Sequence, residues 1–167
     1  MRIAILGNAG GGKSTLARRL ADELRLPLHE VDRLLWRPGW APAPAEDYEA
    51  EHSRIISEDR WIIDGLGRRD SIAPRIARST AIVLVDLPLW VHFWLAAERQ
   101  IAWAKNDLDD RPGGLAEMPP TKALFETIWT VDRNWLPAIR NLVGEAEDRG
   151  ADVRRLHTLD DLADFSL

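Results

Sequence analysis

Residues Gly7 to Thr15 read GNAGGGKST and follow directly on the apolar run Arg2 to Leu6, RIAIL. From Gly7 to Ser14 the stretch satisfies G-x-x-x-x-G-K-[ST], a pattern expected by chance in roughly half a per cent of chains of this length. A short apolar run that ends at glycine suits a buried parallel strand. From Lys13 to Arg25 the residues Leu16, Ala17, Leu20, Ala21 and Leu24 recur at threes and fours, which predicts an amphipathic helix. Strand, glycine loop, helix is the context in which this pattern carries chemistry. The glycines turn successive backbone N–H groups toward one concavity, and the helix N-terminus adds its partial positive charge. Gly7, Asn8, Ala9, Gly10, Gly11 and Gly12 therefore form a cradle for the phosphates of ATP, with Lys13 reaching the β- and γ-phosphates. Ser14 is placed to ligate Mg²⁺, and Thr15 contacts the α-phosphate or caps the helix.

Outward from the loop, strands and helices alternate. Leu28 to Val31 reads as a second strand ending at Asp32, and residues 33–45, rich in proline, as a shaped loop. Glu46 to Glu58 predicts a helix, Trp61 to Ile63 a strand stopping at Asp64, and Ser71 to Ala77 a short polar helix. Thr80 to Val85 is a β-branched strand closed by Asp86, with Pro88 placed to open a helix running to about Lys105. In that helix Trp90, Phe93, Trp94, Ala97 and Ile101 share one side, opposite Glu98 and Arg99. Residues 106–120 form a second long loop, Thr121 to Glu147 a long helix bent at Pro137, and Asp152 to Leu156 a last strand with a helical tail at 159–165. This β-α alternation predicts an α/β fold with a five-stranded parallel sheet covered by helices on both faces.

Composition narrows the function. The chain of 167 residues is 46% hydrophobic, enough for one substantial core and too short for two ordinary domains. A net charge of -5 disfavours direct nucleic-acid binding. Cysteine is absent, which excludes disulfides and thiolate metal sites and leads to the expectation of a cytoplasmic protein. No apolar stretch reaches the roughly 20 residues that span a bilayer, and no membrane partner is expected. His29, His52, His92 and His157 show no ligand spacing and read as structural or surface residues.

Ligands in open parallel sheets collect beyond the carboxyl ends of the strands, so Asp32, Asp64 and Asp86 should all face the phosphate crevice. The alternative for each is a helix cap or a loop-stabilising carboxylate, most of all for Asp86 beside Pro88. Phosphoryl transfer also needs positive charge near the moving group. The candidates are Arg68, Arg69, Arg99, Arg111, Arg133 and Arg140, about half of which should be plain surface or salt-bridge residues. Of the eight tryptophans, Trp61, Trp90, Trp94 and Trp129 read as core. Trp36 and Trp40 flank a loop turn, where they either stack on an acceptor or close the loop onto the body.

The stretches MRIAILGNAGGGKSTLARRLA, LPLHEVDRLLWRPGW, DRWIIDG and AIVLVDLPLW together resemble the nucleoside monophosphate kinase branch of P-loop proteins. The resemblance is strongest to the adenylate kinase-related proteins described as DNA topology modulation protein, FlaR-related. It implies a three-layer sandwich in a single domain spanning residues 1–167, with an acceptor-binding segment at about 33–60 and a lid at about 104–120. Asp64-Gly65-Leu66-Gly67-Arg68 is similar to the family's D-G-F-P-R, whose arginine holds the acceptor's phosphate, and Arg68 takes that role by position. The chain departs from its relatives in the lid, where Asp107, Asp109, Asp110 and Glu117 stand against Arg111 alone.

These readings converge on an expected small-molecule kinase that uses ATP and Mg²⁺. The expected catalytic residues are Lys13, Arg99, Asp32 and Arg68, with substrate contacts from Asp32, Trp36, Asp64, Arg68 and Arg69 and metal contacts from Ser14 and Asp32. The expected acceptor is a nucleoside monophosphate or a related small metabolite. The alternatives are an ATP-dependent regulatory NTPase acting through a protein partner and a nucleotide-binding protein with a decayed lid.

Overall fold

The computed structural model describes residues 1–108 and 117–167. Five parallel strands form the central sheet: β1 (Arg2–Gly7), β2 (Leu28–Glu30), β5 (Trp61–Asp64), β6 (Ala81–Val85) and β7 (Asp152–Leu156), in the order β2-β5-β1-β6-β7. A two-stranded antiparallel ribbon, β3 (Trp36–Arg37) and β4 (Ala41–Pro42), stands apart from it. The helices are α1 (Lys13–Leu24), α2 (Val31–Leu35), α3 (Ala45–Ser57), α4 (Ile72–Arg78), α5 (Leu89–Ala104), α6 (Thr121–Thr130), α7 (Leu136–Asp148) and α8 (Leu159–Asp164).

The pleat sends alternate residues to opposite faces, and each face has its own core. Ile3, Ile5, Ile62 and Val83 pack with Leu16, Ala17 and Leu20 of α1 and Val91 of α5. Ala4, Leu6, Ile63 and Leu84 pack with Ile72 and Ile76 of α4 and Ile139 and Val143 of α7. Helices therefore cover both faces, as the unbroken apolar strands require. The central β1 pairs with β5 on one side and β6 on the other, which brings the residues after β1 and those at the end of β5 to one edge. Asp64 sits opposite Ile5 in that register, just short of the glycine loop.

The structure corrects the sequence reading in several places. The second strand stops at Glu30, and Asp32 lies in the first turn of α2 rather than at a strand end. The segment 33–45 is not irregular throughout, since the β3–β4 ribbon closes around a 3₁₀ turn at Pro38–Trp40. The long helix is interrupted by a π-helical turn at Val131–Trp135, just ahead of Pro137. Proline has no N–H to bond the carbonyl four residues back, and the widened turn absorbs the deficit. Trp61 is fully buried as expected, but Trp90, Trp94, Ile101 and Trp129 are exposed. The inward face of α5 is instead Val91, His92, Ala96, Gln100 and Trp103. Half of the lid segment, including Asp109, Asp110 and Arg111, lies outside the described residues, while Asp107 and Glu117 are described. No described helix is long and apolar enough to cross a membrane.

Candidate active site

The glycine loop is held by α5 and α6. Gly10 has φ +74°, and a Cβ there would come within 2.8 Å of the His92 carbonyl, so α5 approaches to a distance only glycine allows. The buried His92 ring contacts the Ala9 carbonyl through Nδ1 at 3.0 Å. A carbonyl only accepts, so Nδ1 carries the proton. Burial first, then the charge of Lys13, pushes this imidazole below its ordinary pKa and keeps it neutral. Asn8, wholly buried, accepts from the Ala9 N–H at 2.8 Å and donates through Nδ2 to the Ile128 carbonyl of α6 at 2.7 Å. No side chain caps the start of α1, so its first-turn N–H groups face the loop's concavity without side-chain partners.

Lys13 is buried, and its Nζ folds back to donate to the Asn8 carbonyl at 2.5 Å. Burial lowers the pKa of its ammonium, an effect opposed by Asp64 and Asp32 and reinforced by Arg99. Ser14 donates to Asp64 Oδ2 at 2.6 Å, so Asp64 is the acid that Ser14 engages. The other carboxylate oxygen of Asp64, Oδ1, is buried without a hydrogen-bond partner. Burial raises the Asp64 carboxyl, and Lys13 and the Ser14 hydroxyl pull it down again.

Asp32 differs. The crevice walls crowd it and raise its carboxyl, Lys13 and Arg99 oppose that, and yet its side chain is exposed to solvent. Hydration responds to the open surface, so the carboxylate is ionised at neutral pH. Next to it, Glu30 accepts from Arg18 at 2.7 Å and Arg33 at 2.6 Å. Those bonds outweigh the penalty of burial and hold its carboxyl below the usual range.

The Gly65–Arg68 loop rests on a buried polar cluster that the sequence reading did not single out. Arg75, wholly buried on α4, donates to the carbonyls of Gly65 and Leu66, to His52 Nε2 at 3.3 Å and to Ser71 Oγ at 3.4 Å. Tyr48 meets Ser71 Oγ at 2.9 Å and accepts from the Arg68 N–H at 3.3 Å, while Ser71 donates to the Arg68 carbonyl at 2.7 Å. Gly67 has φ +66°, and a Cβ on it would fall on the Tyr48 hydroxyl. The signal was present in the sequence, since Arg75 stands one position before Ile76 and three after Ile72, on the inward side of its helix.

The other candidates are dispersed. Arg68 lies 3.6 Å from Asp70 in an open ion pair, and Arg69 donates to the Asn134 carbonyl at 3.3 Å. Arg99 stands close enough to Lys13 and Asp32 to act on both. Arg133 lies over the Trp129 ring at 4.8 Å, and Arg140 grips Asp86 with two bonds of 2.9 and 2.7 Å. Asp86 is thus a salt-bridge partner. Trp36 meets Trp40 edge to face at 5.7 Å, and Trp40 leans on Trp103 at 6.5 Å and donates to the Glu117 carbonyl at 2.8 Å. The ribbon tip is thereby closed onto α5 and the end of the lid segment. Among the described residues no three histidines or acids form a metal cluster.

No protein-family model matches the chain, and no curated protein matches it. Among solved structures, the shikimate kinase of Bacteroides thetaiotaomicron shares the fold with a TM-score of 0.53 at 15% identity, covering 89% of this chain and 95% of that one. A shikimate kinase from Acinetobacter baumannii, solved in complex with shikimate, superposes with a TM-score of 0.50 at 15% identity over 89% of each chain. The chain shares the fold of these two shikimate kinases.

Proposed function

We propose that the protein is a small-molecule kinase that moves the γ-phosphoryl of ATP to a small acceptor. The observation that carries this reading is the Ser14–Asp64 pair: a buried carboxylate with one oxygen unpartnered, hydrogen-bonded to the hydroxyl that ends the phosphate loop. Two hard oxygen donors beside a phosphate cradle fit Mg²⁺. The ion would neutralise charge on the β- and γ-phosphate oxygens. Lys13 would exchange the Asn8 carbonyl for those oxygens, and Arg99 would add a second positive charge. Positioning and charge supply most of the catalysis in such a site.

The acceptor would lie between α2 and the Gly65–Arg68 loop, near Asp32, Trp36 and Arg68. A phosphate acceptor, such as a nucleoside monophosphate, is already anionic at neutral pH and would lean on Arg68 or Arg69. A hydroxyl acceptor would use Asp32 to take its proton. A kinship with the FlaR-related proteins is part of this proposal and is carried only by the motifs of the first ninety residues.

The test is ADP release from ATP-Mg²⁺ with nucleoside monophosphates, nucleosides, sugars and hydroxyl-bearing acids including shikimate, run beside Lys13→Ala. Acceptor-dependent release that disappears in Lys13→Ala is the expected result. Asp32→Asn and Arg68→Ala then tell a hydroxyl from a phosphate acceptor by which one removes turnover. ATP binding without stimulation by any acceptor would overturn the kinase reading in favour of a regulator that acts through a partner protein.

A further inference from the structure

The α5–α6 hairpin turns an apolar surface outward that the candidate site does not use. On α5 the residues Trp90, Trp94, Ala97, Ile101 and Ala104 follow the alternating four- and three-residue spacing of a coiled-coil seam. Phe93 meets Phe125 at 5.4 Å and Gln100 donates to the Pro119 carbonyl at 3.0 Å, so α6 runs antiparallel to α5. Trp129, one turn beyond Phe125, therefore lies toward the Trp90 end, and Met118 lies toward the Ile101 end.

The surface has a ridge and a groove. Trp90 and Trp94 stack with ring centroids 6.2 Å apart and planes within 14° of parallel, standing out from the N-terminal half of α5. In its C-terminal half lies an open, shallow groove of about 330 Å³, lined by Ala97, Gln100, Ile101, Met118, Thr121 and Phe125. Gln100, only 7% exposed, keeps its Oε1 without a partner in that wall. An indole N–H seeks an acceptor when its ring is buried. The ridge thus carries two indole donors.

Ridge and groove centres lie eight or nine residues apart along α5, roughly 13 Å, with small Ala97 between them. A two-fold axis through Ala97 sets the ridge of each copy opposite the groove of the other and lets the helices approach closely. We infer that the α5–α6 face pairs with a second copy of this chain, antiparallel and crossing at Ala97, each Trp90–Trp94 ridge filling its partner's groove.

The area is sufficient. Trp90, Trp94 and Trp129 are 64%, 49% and 52% exposed, which at about 150–250 Å² per aromatic side chain gives roughly 250–400 Å². Ile101 at 55% and Met118 at 40% exposed bring each copy to about 500 Å² and a pair to about 1,000 Å², where specific interfaces begin. A patch of this size at the upper end of what monomers expose calls for a cover. The rim carries Glu98 and Lys105, both exposed.

Sedimentation velocity from about 5 to 500 µM, on the full chain, tests the pairing. The wild type should shift from monomer to dimer across that range, and Trp94→Glu and Ile101→Glu should each weaken association at least 100-fold. Both positions are exposed, so unchanged thermal midpoints will show that the variants fold. Because the chain has no cysteine, Ala97→Cys under mild oxidation should give a disulfide dimer, and Ser53→Cys on α3 should not. A wild type that stays monomeric at 500 µM would overturn the inference, as would a dimer indifferent to both glutamates or one in which Ala97→Cys fails to cross-link. Flotation of the monomer with phosphatidylcholine–phosphatidylglycerol vesicles would also overturn it by showing that a lipid surface is the occupant.

Discussion

Acidification should unfold this protein partly through one side chain, His52, and the size of the effect can be worked out. His52 is 4% exposed, accepts from the wholly buried Arg75 at 3.3 Å, and stacks on Tyr48 with ring centroids 5.7 Å apart. Burial, and after it the charge of Arg75, pushes its pKa from 6.5 down to about 4. The folded state therefore holds the neutral ring. Above pH 6.5 neither state binds the proton, and His52 adds no pH dependence. Between 6.5 and 4 the unfolded chain takes a proton that the native state refuses, so stability falls as the pH falls, and the loss is complete below 4. At about 1.4 kcal/mol per pH unit the gap comes to about 3 kcal/mol, with about 2 of it lost by pH 5. Against a total of about 5–15 kcal/mol for an ordinary domain, that is a large share.

His52→Gln keeps an acceptor for Arg75 and removes the titration. Urea unfolding of both proteins, followed by tryptophan fluorescence at pH 7.5, 6.0, 5.0 and 4.5, isolates the effect, because every other titrating group is common to the pair. The stability difference should move by about 2 kcal/mol in favour of the variant between pH 7.5 and 5.0. A stability difference that changes by less than about 0.5 kcal/mol between pH 7.5 and 5.0 would refute the reasoning.

Tyr48→Phe strips a hydroxyl that serves both Ser71 and the Arg68 N–H; the expected cost is about 1–2 kcal/mol by urea unfolding, with KM for the acceptor rising more than kcat falls. Asp64→Asn removes a buried charge along with the carboxylate that engages Ser14. Calorimetry should then show a loss of at least about tenfold in Mg²⁺-dependent ATP affinity, and little change without Mg²⁺. Arg19 donates to the carbonyls of Leu162, Ala163 and Phe165 at 3.1, 2.7 and 2.8 Å. Arg19→Ala should release α8, read as lost amide-exchange protection at residues 159–165 with the sheet's protection intact.

The reading from sequence went furthest where the physics is local. A loop of glycines ending in Lys13 and Ser14 between an apolar run and an amphipathic repeat can be interpreted residue by residue, because its conformation is set by its own backbone and near neighbours. Strands buried on both faces announce themselves as Val- and Ile-rich runs, and β1, β5 and β6 lie within a residue or two of their expected places, as does β7, a largely exposed edge strand. Periodicity failed on α5. It showed that Trp90, Trp94 and Ile101 share a side, but not which side faces the core. A helix apolar on two faces has no amphipathic signal to orient it, and the face turned inward was chosen by contacts with the glycine loop through His92 and with α6.

The amino-acid sequence by itself determined the strand–glycine loop–helix unit, the approximate places of the five strands, and Asp64 and Asp86 at the ends of β5 and β6, since each depends on neighbours within a few positions. Only the tertiary structure decided that Asp64, fifty positions from Ser14, is the acid it meets. Only there does Arg75 support the Gly65–Arg68 loop, and only there does Asn8 tie the cradle to α6 across 120 positions. Those pairings follow from strand order and helix packing, which bring together side chains whose separation along the chain carries no trace of their contact.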